Sequence, residues 1–167
     1  MKIVEQYREA DDPHPIDIVQ SIAAHQAWDF KRIGDDQISV TVKGQWKTYS
    51  VTLAWTESDE TLRLICTFDM DPPEDRIAPL YEVLNLVNGN IWAGSFTYWA
   101  DHSVMVYRYG LILHGGQIAS KSQIDGMIAA AVHSAERYYP AFQLVTWGGR
   151  HPEDALQVAI AEAYGRA

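Results

Sequence analysis

The chain has 167 residues, of which 47% are hydrophobic and 21% charged, and it carries a net charge of −9. That length suits one domain, and a chain of this size can bury a core without staples. With 22 acidic residues against 13 basic ones, there is little to neutralise phosphates, which argues against a nucleic-acid partner.

The nearest basic cluster, Lys31-Arg32, is followed at once by Asp35-Asp36. No run of 18 apolar residues suggests a membrane span, and Met1 to Glu9 is charged where a signal peptide would be apolar. The expectation is a cytoplasmic protein with no membrane partner. Cys66 is the single cysteine, so no intramolecular disulfide can form. Its place in an alternating apolar run predicts a buried thiol rather than a reactive one.

In chain order, Asp11-Asp12-Pro13-His14-Pro15 reads as the start of a helix, because proline is tolerated in the first turn. Ile16, Val19, Ile22 and Ala23 follow at helical spacing, and the helix should end near Trp28 or before Gly34. The period then becomes two. Ile38, Val40 and Val42 alternate with Ser39, Thr41 and Lys43. After a turn at Gly44-Gln45, Tyr49, Val51, Leu53 and Trp55 mark a second strand, and Leu62, Leu64, Cys66 and Phe68 a third. Short turns between them predict an antiparallel meander.

Asp71 is expected to cap a second helix with Pro72 and Glu74 in its first turn. Ile77, Leu80, Tyr81, Leu84 and Val87 form its apolar stripe, and Asn88-Gly89-Asn90 stops it. Phe96, Tyr98 and Ala100, then Met105, Tyr107, Tyr109 and Leu111, describe a hairpin turning at Asp101-His102, with His114-Gly115-Gly116 closing it. A third helix starts near Ser120 or Ser122, carries Ile124, Met127, Ile128, Ala131, Ala135 and Tyr138, and fades by Pro140. Trp147-Gly148-Gly149 reads as a hinge, and Leu156, Ala159, Ile160 and Ala163 suggest a final helix from Pro152. The expected fold is α+β, ordered α-β-β-β-α-β-β-α, with a five-stranded, mainly antiparallel sheet and helices on one face. Residues 1–148 make the domain and 149–167 a tail helix.

Asp35-Asp36, Leu84-Asn85, Gly94-Ser95-Phe96, Tyr107-Arg108-Tyr109-Gly110-Leu111 and Tyr138-Tyr139-Pro140 together resemble the YbjN family of bacterial sensory transduction regulators. The similarity covers roughly residues 15–145. It implies a fold similar to that of type III secretion chaperones, small acidic proteins that commonly dimerise and hold client segments. It carries over no catalytic residue.

The candidate chemistry is thin. Asp69-Met70-Asp71 at a strand end resembles the nucleophile loop of haloacid-dehalogenase phosphatases, but the alternating strand suits an antiparallel sheet and no later strand ends in paired carboxylates. A hydrolase using Asp69 and Asp71 is the least favoured reading. Asp101-His102-Ser103 has the residue types of a triad, yet neighbours on a strand point to opposite faces. His14, His25, His114, His133 and His151 show no zinc-ligand spacing, and His114-Gly115-Gly116 lacks the Lys and Ser/Thr of a phosphate loop. No cofactor or metal is expected.

Parity leaves one feature. If the core face holds Ile38, Tyr49, Leu53, Leu64, Phe68, Phe96, Tyr98, Tyr107 and Tyr109, the other carries Thr41, Lys43, Thr48, Ser50, Thr52, Thr67 and Arg108. It also carries Trp46, Ile65, Trp99, Val104 and Val106. Large apolar groups beside an arginine mark a contact surface. The tail helix, a second copy in a homodimer and a protein partner are its three candidate occupants. A non-catalytic protein-binding module, chaperone-like or regulatory, is therefore expected. A small-ligand sensor, with a pocket between helices and sheet lined by Tyr81, Tyr98, Tyr107 and Tyr138, is the alternative.

Overall fold

A computed structural model describes residues 12–165. Met1–Asp11, which include the charged leader and Asp11 of the expected helix start, and residues 166–167 lie outside the described residues.

The first helix, α1 (Pro15–His25), starts where proline and a side-chain cap coincide. The His14 Nδ1 atom accepts the Ile16 N–H at 3.2 Å, occupying one of the backbone donors that a helix start leaves open. The apolar residues at helical spacing, Ile16, Val19, Ile22 and Ala23, are all buried. Ala27, at φ 55, turns the chain into a strand that the sequence does not advertise.

That strand is β1 (Asp29–Ile33). It joins β2 (Gln37–Lys43), β3 (Thr48–Thr56), β4 (Thr61–Asp69), β5 (Ser95–Trp99) and β6 (Val104–Ile112). Among the described residues the sheet thus has six strands, not five, in the order β1-β2-β3-β4-β6-β5, and every pairing is antiparallel. β1 escaped the hydrophobic pattern because it is an edge strand of mostly exposed residues. Charged residues are a usual protection for such an edge. It is held through Arg32, whose guanidinium donates to Asp17 and to Gln20 of α1 and to the carbonyls of Gly34 and Asp35.

The other helices are α2 (Ile77–Asn88), α3 (Lys121–Thr146) and α4 (Pro152–Gly165). Asp71 does not cap α2. A short 3-10 turn over Glu74–Arg76 intervenes, and α2 begins after Arg76 without a side-chain cap. α3 begins on a capping box: the Ser120 hydroxyl accepts the Gln123 N–H and the Gln123 side chain accepts the Ser120 N–H. It then passes through Pro140 rather than fading there. Proline inside a helix ordinarily costs about 3 kcal/mol. Here Pro140, Ala141, Phe142 and Val145 are all buried, and that apolar burial outweighs the lost backbone bond. Arg76 closes the far end, donating twice to the Val145 carbonyl and once to that of Arg150.

One core lies between the helices and one sheet face. Ile38, Val40, Leu53, Leu64, Phe68, Met105 and Tyr107 of the sheet share it with Val83, Ile128, Phe142 and Leu156. Phe68 stacks on Phe142, and Phe96 meets the same ring edge to face. α4 packs on α2 and α3 and adds Ala155, Leu156 and Ala159 to the same core. Helix α4 therefore covers the helical layer and not the second face of the sheet.

Candidate functional site on the outer sheet face

The antiparallel registers fix which residues share the face turned away from the helices. One row runs Ser39, Thr52, Ile65, Arg108 and Ser95. The next runs Thr41, Ser50, Thr67, Val106 and Thr97, and a third ends in Asp69, Val104 and Trp99. Hydroxyls dominate the β2–β3 half. The Ser39 hydroxyl lies 3.3 Å from that of Ser50 and 3.3 Å from that of Thr52. The β4–β6–β5 half is more apolar, with Ile65 and Val104 half-buried, Trp99 37% exposed and Arg108 exposed. β-Branched side chains on a pleated surface make a stiff platform.

Two of the expected contact residues behave differently. Trp46 is not on this face. β2 ends at Lys43 and β3 resumes at Thr48, so Trp46 belongs to a turn where strand parity has no force. Its ring packs 6.1 Å from that of Tyr139 on α3. Val106 is on the face, but its relative exposure is 0%, so it supports the platform without offering surface.

The turn that redirects Trp46 is organised by Glu136, which no sequence signal singled out. Its carboxylate accepts the N–H of Gln45 at 2.9 Å, the N–H of Trp46 at 3.2 Å and the Tyr49 hydroxyl. Gly44 leaves the space for it, since a Cβ there would overlap Glu136 Oε1 and crowd the Tyr49 ring. Burial first, and then the hydrogen bond and charge of Glu136, hold the Tyr49 hydroxyl protonated well above the usual tyrosine range. The long sequence separation between Gly44 and Glu136 is why this site was not legible.

The other candidate groups are dispersed. Asp69 lies exposed at the end of β4, Asp71 is exposed beyond it, and the intervening Met70 is buried. Asp101 and His102 belong to the short turn between β5 and β6, with His102 edge-on to Trp99 at 6.3 Å. Among the described residues no three His, Cys, Asp or Glu side chains converge as metal ligands. Cys66 is buried, and that burial pushes its thiol up to about 12. The expected tyrosine pocket is filled: Tyr98 donates to the Met70 carbonyl, Tyr107 to that of Ala93, and Tyr138 is buried. Tyr81 points outward, half exposed. Among the described residues no helix is long and apolar enough to cross a membrane.

The architecture is that of an α+β protein with helices on one face of an antiparallel sheet and the other face uncovered by them. Residues 15–144 match the YbjN family, described as "Putative bacterial sensory transduction regulator". The chain belongs to that family. A similar solved structure is that of YbjN from E. coli, described as "a putative transcription regulator". It shares 10% identity over 74% of this chain and 87% of that one, with a TM-score of 0.53, a likeness of fold. No curated protein matches the sequence.

Proposed function

We propose that the chain is a non-catalytic, cytoplasmic regulatory module that binds a protein partner through the outer sheet face, with Ile65, Trp99, Val104 and Arg108 in contact. The observation that carries this reading is the apolar strip beside Arg108 on a sheet whose helices all pack on the opposite side. Large apolar groups, tryptophan and arginine are the usual anchors of protein interfaces. Membership of a regulator family supports a binding role over a catalytic one. A likeness to type III secretion chaperones is part of the same proposal, with the sheet face holding a client segment or a second copy in a homodimer. Nucleic acid and membrane have no part in it, in keeping with the charge of −9.

The test is retention of a partner from native lysate by the parent chain, Trp99→Ala and Ile65→Lys. Val106→Asp is unsuitable, because a charge at a fully covered position would disturb the sheet itself. The proposal requires that both surface variants lose a partner the parent retains while keeping parental melting behaviour. Undiminished retention by both would place binding elsewhere. Light scattering on parent and Ile65→Lys decides whether a second copy is the occupant.

A further inference from the structure

The helical side carries a second feature, unconnected with the sheet face. Between the α2–β5 loop and α3 lies a cavity of about 250 Å³, walled by Asn90, Ile91, Trp92, His133, Arg137 and Tyr138. Trp92 is fully exposed, an unusual position for the largest apolar side chain. Its loop is nevertheless held firmly. Tyr107 donates to the Ala93 carbonyl at 2.6 Å, Asn90 donates to that of Leu86 at 2.9 Å, and the Asn88 side chain pairs with both backbone groups of Phe96. Only glycine fits at position 94, where φ is 76 and a Cβ would collide with Tyr107. The residues on either side of Trp92 are thus fixed, and its indole stands out from them into solvent.

Opposite stands Arg137. Its guanidinium lies 5.6 Å from the Tyr138 ring centre and 6.0 Å from that of Tyr164, the geometry of cation–π stacking. In a chain of net charge −9, none of the four ion pairs among the described residues involves Arg137. No carboxylate lines this cavity. A guanidinium outside those four pairs is suited to a bidentate carboxylate, although Glu136 and Glu162 line a neighbouring hollow with it, and the exposed Trp92 ring supplies apolar area and a stacking face.

We propose that this cavity binds a small planar aromatic carboxylate, its acid group on Arg137 and its ring against Trp92. The volume lies below the range of drug-sized pockets and suits one or two fused rings.

The test uses 2-naphthoate in calorimetric titration of the full chain, with 2-naphthylmethylamine as the same ring carrying the opposite charge. The proposal expects naphthoate to bind at about 1 mM or tighter, the range open to a ligand of this size, and the amine to bind at least about tenfold more weakly. Arg137→Gln should weaken naphthoate at least about tenfold and Trp92→Ala at least about fivefold, both with the native fold retained because both side chains are exposed. Trp99→Ala should leave this binding untouched, which separates it from the sheet-face proposal. Equal binding of the two charges, undiminished affinity in both variants, or no heat at 10 mM naphthoate (about ten times the expected limit) would overturn it.

Discussion

Replacing Gly44 with alanine tests the joint between the β2–β3 turn and α3. The new Cβ would overlap Glu136 Oε1, come within 2.7 Å of Glu136 Cδ and within 2.5 Å of Tyr49 Cε2. Neither neighbour yields easily, because the carboxylate holds Gln45, Trp46 and Tyr49 and the Tyr49 ring is fully buried. Displacing Glu136 forfeits at least one hydrogen bond to a charged group, about 1.5–3 kcal/mol. Wedging the ring adds about 1–3 kcal/mol of overpacking. Alanine recovers less than about 1 kcal/mol by restricting the unfolded chain. The net is a loss of about 3 kcal/mol, or about 6–12 °C in melting temperature for a chain of this length. Urea unfolding followed by circular dichroism measures it. In a Glu136→Ala background the added cost of Gly44→Ala should fall to about 1.5 kcal/mol, since only the ring clash remains. A single-variant loss under about 0.5 kcal/mol, or equal losses in both backgrounds, would refute the reasoning.

Tyr49 titrates higher folded than unfolded, through burial first and Glu136 second. Its contribution is therefore complete below the unfolded value near 10 and is lost as pH rises further; urea midpoints should decline from about pH 10 upward, and less steeply in Glu136→Gln. Cys66, buried and with its thiol at about 12, should stay unreactive to Ellman's reagent at pH 8 until urea unfolds the chain; reaction of the native protein within minutes would contradict its placement. Arg76→Ala removes two hydrogen bonds to the Val145 carbonyl at the end of α3 and one to that of Arg150 beyond it, and should cost about 2–3 kcal/mol in the same urea assay. His14→Ala removes the α1 cap and should cost about 1 kcal/mol, read by the same midpoints.

The parts of the fold legible in the sequence were those in which local pattern and tertiary packing agree. Ile38, Val40, Leu64 and Tyr107 alternate on strands and all reach the core. The parts that were not legible depend on remote partners. β1 pairs as a charged edge strand, recognisable only once β2 and the Arg32 contacts to α1 are in place. Pro140 stays helical because its flank is buried, which no propensity predicts. Asp71 has the sequence context of a cap, but the 3-10 turn at Glu74–Arg76 displaces the helix start. On the outer face, parity located Ile65, Trp99, Val104, Val106 and Arg108 correctly because each lies within a strand. It misplaced Trp46 because a turn breaks the period, and it could not say that Val106 is covered.

Site-specific photo-crosslinking in cells reads out what touches the outer sheet face. A photoreactive side chain replaces Thr97 on the outer face in one variant and Val158, exposed on α4, in another. The account predicts a discrete protein adduct from position 97 that disappears when Ile65→Lys is added, and none from position 158. An adduct from position 158 alone, or one at 97 indifferent to Ile65→Lys, would contradict it.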